Sequence, residues 1–179
     1  MSKERTNYLL DLNEILGPKM SAKLPGFAKR FLRKRLHMDQ INDCIMKAEH
    51  YAGAGFFDEA LNYIGITYKT RGEENLDLSK NYIFACNHPL GGPEALIIGS
   101  VFRRIYGDGF KVPANQILYN MKPLQEFFVP VKVQAGRQSR DIADRFTQMF
   151  ESDCQVLVFP AGLCARTFKG VITEMPWKK

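Results

Sequence analysis

The chain has 179 residues, 45% hydrophobic and 25% charged, which is the balance of one globular domain and excludes a disordered or fibrous chain. No window reaches the roughly 18 uninterrupted apolar residues of a spanning helix, and MSKERTNYLLDLNEILG is too acidic and too broken for a signal peptide. A protein that stays in the cytosol is expected.

The net charge of +6 is local rather than general. Lys19, Lys23, Lys29, Arg30, Arg33, Lys34 and Arg35 lie in one stretch without an acid, and without these seven the +6 falls to −1. Cys44, Cys86, Cys154 and Cys164 show no CxxC spacing, and His37, His50 and His88 form no HxxxH or HExxH pair. Reduced thiols and no structural metal are expected.

Tyr8, Leu9, Leu12 and Ile15 recur at helical spacing and predict a first helix. Pro25 predicts the start of a second, because the N–H that proline lacks has no partner in a first turn. Phe27, Phe31 and Leu32 share one side of it, with Lys29, Arg30, Arg33 and Lys34 on the rest, making a basic amphipathic helix. Its cations would attract anionic headgroups at about 1 kcal/mol each while Phe27, Phe31 and Leu36 enter the interface. The competing reading packs those aromatics on the rest of the protein, and the absence of acids favours the membrane. A third helix is predicted from Met38 to Tyr51, ending at AGAG, and a short fourth through FFDEALNYI.

From Ile66 onward short apolar runs alternate with helical periods, the signature of a mostly parallel α/β sheet. The predicted strands are ITYKTR, YIFAC, FKVPA, FFVPV and QVLVF. EALIIGSVFRRI and SRDIADRFTQMFES are predicted helices, the latter with Ile142, Phe146 and Phe150 in phase. The expected fold class is α/β, a mostly parallel central sheet flanked by helices. Residues 1–64 would be a helical membrane-docking segment and 65–179 the α/β domain.

Two of these strands run into loops of small residues: YIFAC into Asn87-His88-Pro89-Leu90-Gly91-Gly92-Pro93-Glu94, and QVLVF into Pro160-Ala161-Gly162. In open α/β sheets ligands collect beyond the carboxyl ends of strands, so both loops point to one crevice. A histidine six residues before a carboxylate, across a turn with two glycines, allows the acid to fold back onto the ring. Such a carboxylate fixes the imidazole tautomer and leaves the other nitrogen to take a proton. The bland alternative has His88 bonding to backbone and Glu94 favouring a helix N-terminus. A Cys164–His88 nucleophile ranks low, since nothing nearby lowers the thiol pKa. Nucleic-acid binding through Lys19–Arg35 lacks stacking aromatics or a recognisable module, so no nucleic acid is expected.

NHPLGGPE and FPAGLCAR together resemble the NHxxxxD and FPEGxR-type motifs of the lysophospholipid (glycerolipid) acyltransferase family, over roughly residues 65 to 179. With RGEENL, FVPV and the closing WKK they resemble a bacterial branch with NHPxGGxE/D and FPAGxxxR motifs, in which the His-to-acid gap is one residue longer. The resemblance implies a glycerolipid-acyltransferase-like fold with no cofactor beyond the acyl donor, acyl-CoA or acyl carrier protein, as co-substrate. The acceptor it implies is a lyso-lipid, either 1-acyl-glycerol-3-phosphate or a lyso amino-acid lipid, in membrane phospholipid biosynthesis. A peripheral place on an anionic membrane, at its cytoplasmic face, goes with it.

Carried over by residue, the resemblance makes His88 the general base and Glu94 the acid that orients it, with Pro93 at the acid's usual position. Asn87 and Gly91 would shape the turn, and Lys132, with Arg137 second, would grip an acceptor phosphate. The family's glutamate is replaced by Ala161, which weakens the case for a glycerol phosphate headgroup. Pro160 and Gly162 would bring backbone amides to an anionic or oxyanion group, beside the cation of Arg166. The family continues past a point equivalent to Lys179, which implies that this piece is truncated at its C-terminus. The alternative function is a non-catalytic lipid or acyl-carrier binding module with the same fold.

Overall fold

Four parallel strands form the central sheet of the computed structural model, which describes residues 10–35, 37–48, 55–119, 121–131 and 140–177. They are β1 (Ile83–Ala85), β2 (Phe110–Asn115), β3 (Phe128–Val131) and β4 (Gln155–Val158), in the spatial order β1-β4-β2-β3. The register sets Ile83 against Val156, Phe110 against Gln155 and Val112 against Phe128. As the alternating apolar and helical pattern predicts, helices connect the strands.

The described helices are α1 (Leu12–Leu16), α2 (Pro18–Lys23), α3 (Gly26–Arg35), α4 (Met38–Lys47), α5 (Gly55–Ile64), α6 (Pro93–Tyr106), α7 (Gln116–Tyr119) and α8 (Arg140–Glu151). The predicted first helix is shorter than its period suggests. Within the described residues it begins at Leu12, and α2 follows at once because Gly17 (φ +74°) breaks the run and Pro18 fits a first turn. Tyr8, Leu9, Leu36 and the end of the predicted third helix, residues 49–51, lie outside the described residues.

Strand residues point alternately to opposite faces, so neighbours on one strand serve different cores. On β4, Leu157 joins the larger core while Val156 packs with Val129 and Met149 of α8 on the other face. The larger core draws Ile45 from α4, Phe56, Phe57 and Ala60 from α5, Phe102 from α6 and Phe110 and Val112 from β2. Phe110 and Phe127 are fully buried and stack at 4.7 Å, with Phe57 set 5.5 Å from Phe127. Each such ring is worth about 1.5–3 kcal/mol of burial, which fastens α5 to the sheet. Helices from before residue 65 and strands from after it thus share one core.

Gly99 of α6 leaves room for α5 to pack: a Cβ there would lie 2.4 Å from the Phe57 ring.

Two features depart from the sequence expectation. ITYKTR forms no strand. Its Tyr68 hydroxyl bonds to the buried Ser100 hydroxyl at 2.7 Å, so the segment lies over α6 instead of joining the sheet edge. In addition, β5 (Arg166–Phe168) and β6 (Val171–Thr173) pair as a separate antiparallel hairpin, Phe168 opposite Val171, with all six strand residues exposed.

Candidate active site

The loop after β1 reaches α6 in seven residues, and Pro93 opens that helix at a position where its missing N–H costs nothing. Gly92, at the N-cap, offers no side chain. Glu94 supplies what the cap lacks, folding back so that its Oε1 accepts from the amides of Gly91 (2.7 Å) and Leu90 (3.1 Å). The same oxygen lies 2.7 Å from His88 Nδ1. The helix-terminus reading and the acid-behind-imidazole reading are therefore realised together by one oxygen.

The unusual spacing is accommodated by geometry. Gly91 holds φ +99°, a left-handed conformation that side chains rarely adopt, and the turn it makes lets the longer Glu arm cover the extra residue. Its α-carbon also faces Cys164, whose Sγ would be 3.2 Å from an added Cβ. Oε1 already accepts two amide N–H bonds, so the tautomer that suits this contact carries its proton on Nδ1 and has Nε2 as the acceptor. Both side chains are largely sheltered, His88 at 17% and Glu94 at 11% exposure, and Glu94 Oε2 is buried without a partner.

The second loop meets the first. Ala165 donates its amide to the His88 carbonyl at 2.9 Å, and the Phe159 ring stacks on the imidazole at 4.4 Å with 30° between planes. Pro160 is half-buried and Ala161 buried. The Gly162 amide, which the sequence reading offers to an anionic group, is engaged within the loop. It donates to the Phe159 carbonyl at 2.9 Å and closes a turn, with Gly162 at φ +63°. Arg166 and Asn87 are exposed near this junction, while Lys132 and Arg137 lie outside the described residues. Burial first, and then the Glu94 charge, push the Cys164 thiol up, which disfavours the thiolate a nucleophile needs.

An apolar cavity of about 210 Å³ begins at Gly91, Gly92 and Ala95 and runs past Leu96 and Gly99 toward Phe56, Phe57 and Phe110. Sequence reading found neither this cavity nor Phe159. The cavity is assembled from separate segments, and Phe159 reads as any apolar residue closing a strand. Among the described residues no group of three His, Cys, Asp or Glu side chains is placed to hold a metal.

A family model described as Acyltransferase matches residues 12–179. The chain belongs to this acyltransferase family. The chain is 34% identical, over 96% of its length, to a protein of Bacteroides thetaiotaomicron named lyso-glycine lipid O-acyltransferase. A protein of the same name from Phocaeicola vulgatus is 30% identical over 96% of the chain. The chain spans 64% and 62% of the lengths of these two acyltransferases. No solved structure matches it.

No residue of the basic helix α3 lines the cavity. The helix has no buried residue, and Phe27 and Phe31, one helical turn apart, are 79% and 67% exposed. The reading in which these aromatics pack on the α/β part does not hold. Arg30 and Lys34 are exposed, and Arg33 pairs with Asp39 at 2.6 Å. No helix among the described residues is long and apolar enough to cross a membrane.

Proposed function

We propose that this chain carries the acyl-transfer centre of an O-acyltransferase that moves a fatty acyl group from a thioester to the hydroxyl of a lyso-lipid. The observation that carries the reading is the 2.7 Å contact of His88 Nδ1 with Glu94 Oε1, in a loop that also opens the apolar cavity. His88 Nε2 takes the proton of the acceptor hydroxyl as its oxygen attacks the thioester carbonyl carbon. The tetrahedral intermediate collapses with cleavage of the C–S bond, and the imidazolium returns its proton to the departing thiolate. Glu94 stabilises the imidazolium between these steps. A thiolate leaves readily, so the chemistry needs no covalent enzyme intermediate.

The apolar cavity suits the acyl chain, since its walls offer no partner to a headgroup and exclude water. The donor is acyl-CoA or acyl carrier protein. For the acceptor, Ala161 in place of a glutamate, together with the names of the two relatives, favours a lyso amino-acid lipid with a free carboxylate over a glycerol phosphate. Arg166 is the cation offered to that carboxylate, and Lys132 and Arg137 are further candidates. The work takes place on an anionic membrane surface, to which α3 docks through Phe27, Phe31, Arg30, Arg33 and Lys34.

The test is an assay of the purified protein with both thioester donors against lyso-glycine lipid and 1-acyl-glycerol-3-phosphate, read by mass spectrometry. Transfer to the glycine lipid, lost by about 10³-fold or more in His88→Ala, is the expected result. A folded His88→Ala variant with undiminished transfer overturns the role of His88. A wild-type protein that binds the lipids without turnover points instead to the non-catalytic binding module. Replacing Arg30, Arg33, Lys34 and Arg35 by Gln should abolish sedimentation with anionic vesicles at low salt, and unchanged sedimentation would remove the docking role.

A further inference from the structure

The Phe-Pro-Ala-Gly turn is placed to hold an aromatic plate rather than a ligand. A residue that precedes proline is confined to extended backbone, so Pro160 fixes the direction in which Phe159 leaves β4. The Gly162 amide then returns to the Phe159 carbonyl at 2.9 Å, in a left-handed turn at φ +63°. The Phe159 side chain packs against the main core, which anchors the ring from below. Its upper face carries the imidazole of His88, 4.4 Å away and 30° from parallel.

We propose that Phe159 is a positioning residue for His88, holding the imidazole plane so that Nδ1 stays on Glu94 while Nε2 faces the acceptor. Two constraints define a ring's orientation, and each comes from a different loop. The Glu94 oxygen fixes one edge, and the Phe159 face stops rotation about the bond to that ring. Without the plate, the imidazole can swing about its Cβ and leave the 2.7 Å contact. The plate also stabilises the imidazolium that forms during transfer, since a cation over an aromatic face is attracted by the ring quadrupole. In this arrangement Gly162 and Pro160 serve the base through Phe159 and touch no substrate. The inference rests on the proposed role of His88, and one arm of its test does not depend on turnover.

That arm is proton NMR at low temperature. A low-field resonance from the His88 Nδ1–H, identified by its loss in His88→Ala, should be present in the native protein and in Phe159→Tyr. It should broaden away in Phe159→Leu and Phe159→Met, of which the second guards against a leucine variant that fails to fold. In the transfer assay the two aliphatic variants should lose about tenfold or more in kcat with KM changed less than about twofold, and Phe159→Tyr should restore most of it. An aliphatic variant that keeps both the resonance and kcat overturns the proposal. Loss of kcat with the resonance intact does so as well, because it assigns Phe159 to ordinary packing. If the resonance behaves as expected and no acyl transfer is found in any form, the positioning holds and the proposed reaction is the part that fails.

Discussion

The His88 loop and helix α3 are built on opposite principles. In the loop one carboxylate oxygen meets an imidazole and two backbone amides, and a positive-φ glycine and a stacked ring leave no slack. On α3 nothing is buried, and among the described residues Arg33 is the one of the cations the sequence singled out that pairs with an acid. The first region depends on individual atoms and the second on composition. Substitutions should therefore act all-or-none in one and by small additive steps in the other.

The sharpest break of that contrast is Glu94→Gln. The amide keeps an oxygen for the Leu90 and Gly91 amides but loses the charge behind the imidazolium, so kcat should fall about 100-fold with the fold intact by circular dichroism. A loss below about threefold would place the acid in capping alone. Next comes Gly91→Ala, which forces a side chain into left-handed backbone against Cys164 Sγ. It should cost about 1–2 kcal/mol in denaturant unfolding, and activity should fall with it.

On α3 the single changes Arg30→Gln and Lys34→Gln should each weaken anionic-vesicle binding by about fivefold and by similar amounts. Arg33→Gln should do less, because Asp39 already neutralises that cation. An Arg30 effect far above that of Lys34 would mean that α3 reads a specific headgroup and is not merely a charged surface.

The smallest effect is expected at an exposed ion pair outside both regions. The Arg104 guanidinium, with Thr70, holds the Glu73 carboxyl down at about 2. A depressed carboxylate adds stability above its ordinary pKa of 4.5, and loses it as pH falls toward 2. Arg104→Gln should thus lower Tm slightly above pH 5, by a gap that closes on acidification, with acyl transfer unchanged.

The amphipathic helices were legible because periodicity alone defines them: α3, α5, α6 and α8 fall where FKVPA-type strands and Pro or Gly punctuation leave room for them. The His88–Glu94 pair was legible because both residue types and the glycines between them are chemically conspicuous. ITYKTR was misread because a short apolar run says nothing of whether a neighbouring strand exists to pair with it. Gly162 was misread because its amide's direction follows from a backbone turn that residue identity leaves open. Phe159 and the cavity were invisible, since each depends on which distant apolar side chains meet.

Gly99 gives the cavity a sensitivity that its apolar walls conceal. At Gly99 the Phe57 ring of α5 lies directly against the backbone of α6, and the same ring lines the space beside Gly91. One added methyl would act as a wedge at that hinge of contact, tilting Phe57 and resizing the chamber while leaving every polar atom of the loop in place. The bore of this chamber is thus set by a hydrogen where other residues carry carbon.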